Sequence, residues 1–333
     1  MSGARTAPSE AIDAPADDYR VLSDACGLID RSERGKLALS GSGAVEFLDG
    51  QVTNELANLR AGEGHYAAFL TPKGKMLGDL RILAVGPAGS TPVRGLWLDT
   101  ERVSLQALFD MIRRFKIGFD VQLHKRTLER GLLSLIGPAS AAAAGAAELP
   151  VQEHANATLR VGGIEALAVR TEDGIDLFCE AAETEPLAAA LRERGATPVS
   201  PAAAECLRVE RGRPRYGLDM DDATIPQEAG LNERAVSFTK GCYVGQETVA
   251  RLHYRGKPNR HLRGLRLARP AETGQELRLG TRSAGRVGSA AVSPRFGPIA
   301  LALVRREAAP GAQVAVGDRG NSAEVVALPF APA

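Results

Sequence analysis

From His261 to Phe330, glycine and proline cut the chain into short apolar stretches: "HLRGLRLA", "QELRLG", "GRVGSAAVS", "IALALVRRE", "AQVAVG" and "AEVVALPF". Short strands separated by turn residues bury an apolar face by closing on one another or by stacking as two layers. A small all-β barrel or sandwich is therefore predicted for residues 257–333, beginning after "YRGKPNRH".

Upstream the periodicity is mixed. "GHYAAFLTPKGKMLGDLRILAVG" and "IEALAVRTEDGIDLFCE" each read as two strands around a turn. "VSLQALFDMIRRFK" sets Leu105, Leu108, Phe109 and Ile112 on one helical face, and "EPLAAALRERG" is a helix closing on Gly195. Ser42 is the expected N-cap of a helix in "GAVEFLDGQVTNEL". Hairpins and helices together give an α+β class with antiparallel sheets. A length of 333 residues suits two or three domains. The expected division is an N-terminal lobe at 19–125 and a second at 126–256, free to interdigitate. Residues 1–18, "MSGARTAPSEAIDAPADD", lack the apolar core of a signal peptide and read as a disordered tail of a cytoplasmic protein.

A net charge of +1 with 5% aromatics and one tryptophan argues against a base-stacking nucleic-acid surface. No apolar run reaches the ~20 residues of a membrane helix.

The four cysteines, Cys26, Cys179, Cys206 and Cys242, show no C-x-x-C spacing. Three sit in apolar stretches and read as buried core. Cys242, in "SFTKGCYVGQE", precedes the expected helix "VGQETVARLHY", which has Val244, Val249 and Leu252 inward and a Glu247–Arg251 pair. A helix start and a nearby Lys240 favour a thiolate, a nucleophile or soft-metal ligand; the competing reading is a capping turn. Asp79, within the apolar "MLGDLRIL", is either a solvent-facing position beside Arg81 or a hydrogen-bonded carboxylate facing a cavity. Glu228 is delivered by the irregular stretch "RPRYGLDMDDATIPQEAGLN", where Asp219, Asp221 and Asp222 lack the spacing of a calcium loop. Arg251 to Arg269 holds seven Arg or Lys and no acidic residue, suiting a nucleic-acid strip, an anion site or a solvated face.

"KGCYVGQE", which sets Lys240, Gly241, Cys242, Tyr243, Gly245, Gln246 and Glu247 in one motif, resembles the signature of the folate-binding YgfZ family. Mitochondrial relatives of that family assist iron–sulfur cluster assembly. "GLIDRSERGKLALSGSGAVEFLDGQVTNEL", "GKMLGDLRI", "YGLDMDDATIPQEAGL" and "GRVGSAAVSPRFGPIALALV" are similar to the related glycine cleavage aminomethyltransferase (T-protein). The resemblance implies a three-lobed cloverleaf with tetrahydrofolate in a central hole and the C-terminal β domain closing the ring. It implies that Asp79 approaches the folate's reactive nitrogens, that Glu228 binds the pterin edge and that Tyr66 lines the pocket. Asp99 falls where an asparagine is usual, and Arg260 matches an arginine near the folate tail. Asp79 and Cys242 are then the catalytic candidates, with Cys242 a transient Fe–S ligand.

The function this implies is binding of tetrahydrofolate, or a one-carbon derivative, in aid of assembly or repair of iron–sulfur clusters. Partners would be assembly or client proteins, turnover is not required, and glycine cleavage is not expected because T-proteins lack the cysteine motif. The acidic residues the chain keeps leave a folate-dependent aminomethyl or one-carbon transferase as the alternative. An RNA-associated module using the basic segment is the second.

Overall fold

The computed structural model describes residues 11–332 apart from Arg94 and Arg319. Three sheets form the molecule. The first is an antiparallel five-stranded sheet in the order Gly64–Leu70, Met76–Ala84, Gly95–Thr100, Gly35–Ser40, Gln122–Lys125. Its apolar face (Leu37, Leu39, Phe69, Leu80, Ile82, Leu98) packs against the helices Ala44–Asp49 and Leu105–Phe115, which contribute Phe47, Leu48, Leu108 and Ile112. Ser42 does not cap the former. Gly43 takes that place, and the Ser42 hydroxyl donates to Asp120 Oδ2 at 2.6 Å, tying the helix start to the strand that follows.

The second sheet has six strands in the order Thr197–Pro198, Gly27–Asp30, Arg130–Ile136, Gly174–Glu180, Ile164–Arg170, Asn156–Val161. Gly27–Asp30, read by position into the N-terminal lobe, pairs instead with Arg130–Ile136. The lobes are interleaved because the chain enters through the second sheet before building the first.

The third sheet closes on itself. Arg282–Ser293 pairs with both Glu276–Leu279 and Gly297–Arg305, and Gln313–Val316, Asn321–Val326 and Arg260–Leu267 complete a six-stranded barrel. Its inward residues, among them Leu265, Val287, Ala300, Val304, Val314 and Val325, are the small branched side chains that such a narrow interior holds. The α+β class and the C-terminal barrel expected from sequence are both present.

Of the expected tail, residues 1–18, the first ten lie outside the described residues and the rest is ordered. Ile12–Asp13 runs parallel to Ala291–Val292 on the barrel, and Ala16–Asp24 is a helix. Ile12 and Ala14 supply the reason, since both pack with Cys206, Val209, Ile299 and Phe330 between the helix Pro201–Glu210 and the barrel. Among the described residues no helix is long and apolar enough to cross a membrane.

Candidate active site

Strand periodicity builds the site. Ala68 pairs with Asp79 and Tyr66 with Arg81, so Tyr66, Asp79 and Arg81 share the sheet face opposite the helices. Arg81 in turn pairs with Asp99, and Asp99 with Lys36. This face is polar, and it turns toward the second sheet and the centre of the molecule.

Tyr66 and Asp79 stand on a cross-strand diagonal, a separation an aromatic side chain bridges. The Tyr66 hydroxyl donates to Asp79 Oδ2 in a very short hydrogen bond. No other side chain hydrogen-bonds this carboxylate among the described residues. Asp79 is 8% exposed. Burial pushes its pKa up to about 6, a rise the Tyr66 hydrogen bond opposes and the nearby Glu101 reinforces. Burial, with Asp79 alongside, drives the Tyr66 phenol well above its usual value, so it remains a donor. Asp79 is therefore a buried, hydrogen-bonded carboxylate, and not a solvated partner of Arg81.

Asp99 behaves differently. Arg34 Nε and Nη2 donate to its two oxygens at 2.9 and 3.1 Å, and Arg81 Nε donates at 2.6 Å. Burial opposes ionisation, but the two guanidiniums override it and hold the pKa down to about 2. Asp99, at the position where an asparagine is usual in the family it resembles, is the hub of an ionic network. One branch continues from Arg81 to Asp176 at 2.6 Å, which accepts from Ser134 at 2.6 Å. The other runs from Arg34 through Glu101 to Arg215, then to Glu205 and Arg208. It ends at Asp219, which accepts from Arg208 at 2.9 Å and from the barrel amide of Ser289 at 2.7 Å. The network joins all three sheets, and its arginines were not singled out from sequence. Arg81 was legible as a site residue only through its place two positions after Asp79.

Glu228 is buried. Arg260 donates to both its oxygens, at 3.1 and 2.8 Å, and the Ile225 amide adds a third bond at 3.2 Å. Arg260, expected to meet a folate tail, spends its fork on Glu228 and on the Ala223 carbonyl. Arg266 likewise donates to the Ala331 carbonyl. The basic segment is thus not one uniform cationic face.

The KGCYVGQE motif packs on the first sheet, although position assigned it to the second lobe. Lys240 Nζ is sunk among the carbonyls of Asp49, Val52 and Asn54 at 2.6, 3.0 and 2.8 Å, with Asp49 Oδ1 at 3.1 Å. Its charge serves these oxygens and not the thiol. Tyr243 is buried with Leu70, Met76, Met220 and Val249. Gly245 has φ +86°, and a Cβ there would come within 2.6 Å of the Thr71 carbonyl. The hairpin turn can close on the helix Gln246–Arg255 only over glycine. Gln246 folds back to the Gly241 carbonyl at 3.3 Å. Glu247 is exposed and, among the described residues, makes no ion pair with Arg251. Gly241 and Cys242 are exposed, so the motif presents its thiol to solvent. The other three cysteines are buried, as expected. No group of three or more His, Cys, Asp or Glu that could hold a metal ion occurs among the described residues.

A cleft of about 680 Å³ opens between the second sheet and the barrel, lined by Tyr19, Glu153, Arg170, Asp173, Glu210 and Phe330 among others. It does not include Tyr66, Asp79 or Glu228. Size alone does not make it the reactive centre. Asp173 in this cleft is also raised in pKa by burial, but it is ion-paired to Arg211, whereas Asp79 has no cationic hydrogen-bond partner among the described residues.

Residues 6–240 match the GCVT N-terminal domain family, and residues 260–331 the glycine cleavage T-protein C-terminal barrel domain family. The chain is 32% identical to the aminomethyltransferase of Streptomyces avermitilis, over 94% of this chain and 88% of that one. It is 29% identical to the aminomethyltransferase of Rubrobacter xylanophilus, over 94% and 85%. The solved glycine cleavage system aminomethyltransferase T of Bartonella henselae superposes with a TM-score of 0.83 at 26% identity, covering 95% of this chain and 89% of that one.

Proposed function

The chain belongs to the glycine cleavage T-protein family, and on that premise we propose that it is a tetrahydrofolate-dependent transferase of an aminomethyl-type one-carbon unit. The observation that carries this reading is the buried Asp79 carboxyl, whose one side-chain hydrogen bond among the described residues comes from Tyr66 and whose pKa burial pushes up to about 6. A carboxyl with that pKa takes and returns a proton near neutral pH, as general acid–base chemistry at nitrogen requires. The residues fit folate unevenly. Asp79 and Tyr66 leave a carboxylate open to a ligand N–H, Glu228 keeps lone pairs beyond those Arg260 occupies, and Asp99 already accepts from Arg34 and Arg81. Bound tetrahydrofolate would supply the nitrogens that take the one-carbon unit. Asp79 would orient those nitrogens and hold the proton they exchange, while the Tyr66 hydroxyl fixes the carboxyl plane. Burial keeps bulk water from competing for both.

The test is an in vitro assay with tetrahydrofolate and an aminomethyl-loaded lipoyl carrier protein. Ammonia release by the wild-type chain, falling a hundredfold or more in Asp79→Asn, supports the reading; no release above background by the wild-type chain overturns it.

A second reading, a folate-binding factor for iron–sulfur proteins, is favoured by one observation. The motif is built into the structure by Lys240, Tyr243 and Gly245, yet presents Cys242 outward. Similarity over nearly the whole chain to proteins named aminomethyltransferase supports the first reading over this one.

A further inference from the structure

The Tyr66–Asp79 pair is overlaid from outside its own sheet. The guanidinium of Arg234 lies over the Tyr66 ring, 5.1 Å from its centroid. Its Nη2 donates to Glu153 Oε1 at 2.7 Å, and Glu153 belongs to the loop that enters the second sheet. Both anchors are fixed. Asn54 Nδ2 donates to the carbonyls of Tyr66 and Arg234 at 2.9 and 3.2 Å, pinning the short helix Asn232–Ala235 to the strand Gly64–Leu70. On the other side, Asn156 binds Gly62 and Glu63 through its amide and side chain, at 2.7 and 2.9 Å.

Between these anchors sits His154. Its φ of +72° is the one left-handed value at a non-glycine residue among those described. That conformation is strained for histidine and recurs where surrounding structure over-determines a functional position. His154 fits because Gly64 has no side chain: a Cβ there would come within 2.9 Å of His154 Cβ. The ring is buried, its Nε2 is 3.8 Å from the Glu153 oxygen that Arg234 uses, and its Nδ1 has no hydrogen-bond partner.

Resting on the folate reading, we infer that Arg234 and Glu153 form an inter-lobe clamp that positions Tyr66 against Asp79, with His154 wedged behind Glu153 to aim it. The clamp sets the Tyr66 ring, the ring sets its hydroxyl, and the hydroxyl sets the carboxyl that meets the ligand. Arg234 and Glu153 are positioning residues. The groups facing Asp79 are Tyr66 on the neighbouring strand, Glu101, and Arg34 on the loop beneath; Arg234 faces Tyr66. Removing Arg234 therefore changes Asp79 through Tyr66.

The test titrates tetrahydrofolate into wild-type, Arg234→Met, Arg234→Lys, Glu153→Gln and Asp79→Asn chains, and follows the Asp79 carboxyl by carbon NMR against pH. Arg234→Met is expected to weaken binding about tenfold and to shift the Asp79 titration midpoint, with a melting temperature near wild type. Arg234→Lys should recover most of the affinity, because an ammonium can also sit over the ring and meet Glu153. Glu153→Gln combined with Arg234→Met should be no worse than Arg234→Met alone, as expected of a single unit. Unchanged affinity and midpoint in Arg234→Met, with binding lost in Asp79→Asn, overturns the clamp and spares the folate site. Unchanged affinity in both overturns the two together. His154→Asn, which tolerates the left-handed conformation, guards against a folding artefact: weakened binding with an unaltered melting temperature supports the wedge, and wild-type binding removes it.

Discussion

Arg81 Nη1 lies 2.6 Å from Asp176 Oδ2 while its Nε lies 2.6 Å from Asp99 Oδ2, so one guanidinium ties the first sheet to the second at the centre of the molecule. The catalytic candidate Asp79 stands two residues away on the same strand face. The same surface thus holds a carboxylate hydrogen-bonded by two cations and another, Asp79, that among the described residues no cation hydrogen-bonds. That contrast separates structure from chemistry, and it can be measured.

Asp99→Asn is expected to cost about 1.5–3 kcal/mol, because it removes the charged acceptor that Arg34 and Arg81 share and leaves them only Glu101 and Asp176. The acid limb carries the same signature. A carboxyl held at about 2, against an ordinary 3.8, stabilises the fold above pH 4, and that contribution is lost as pH falls from about 4 to about 2. Urea denaturation of wild type and Asp99→Asn across that window should show the two curves converging at the acid end. A ligand residue would instead show near-normal stability with reduced folate affinity.

Asp79→Asn should have the opposite effect on stability. The native carboxyl titrates at about 6 against 3.8, so the folded chain binds the proton more tightly than the unfolded one. Stability from this group is fully present below pH 3.8 and falls as pH rises toward 6. Above that, the buried anion costs up to ~3 kcal/mol, at 1.36 kcal/mol per pH unit. The variant should therefore melt higher than wild type at pH 7.5, by a margin that vanishes near pH 4, while losing transfer activity. A variant that melts lower at pH 7.5 would make Asp79 a structural residue.

Lys240→Met removes the donor shared by the Asp49, Val52 and Asn54 carbonyls. Buried acceptors left without partners cost ~1–3 kcal/mol each, so a loss of at least ~2 kcal/mol is expected even after water enters. Chemical denaturation measures it directly. A change below ~0.5 kcal/mol would show that the carbonyl cage is not what fixes the motif.

The fold was legible where the period was plain. The hairpin around Thr71–Lys75 and the glycine-punctuated barrel both follow from alternation and turn residues. Asp79 stands out as a carboxylate in an apolar strand, and the structure buries it against the Tyr66 hydroxyl. The network of Arg34, Glu101, Arg215 and Glu205 was not legible, because its members come from loops and a helix far apart in sequence. The partners of Asp99 and Arg260 were hidden for the same reason. Sequence shows a charged residue at a matching position, and only the three-dimensional partners show whether its hydrogen bonds are already spent. Lys240 is the reverse case. Its nearness to Cys242 along the chain suggested an electrostatic role, whereas its four-carbon stem carries the charge into a backbone cage.

Cys242→Ser separates the two functional readings. The thiol is exposed, and the motif around it is fixed by Lys240, Tyr243 and Gly245, so serine should leave the fold unchanged to within ~0.5 kcal/mol. If the chain is a folate-dependent transferase, its chemistry sits at Asp79 and the thiol is a bystander. Aminomethyl transfer by Cys242→Ser should then stay within about twofold of wild type, because no transition-state contact is lost. A strain lacking the wild-type gene and carrying this variant should show normal iron–sulfur enzyme activities. Under the iron–sulfur reading the same strain shows those activities depressed, because a thiolate and not a hydroxyl ligates iron. Depressed cluster-enzyme activity beside intact tetrahydrofolate binding would favour iron–sulfur chemistry over aminomethyl transfer. Since one cysteine cannot complete a four-thiolate shell, that outcome would also require the remaining ligands to come from another molecule.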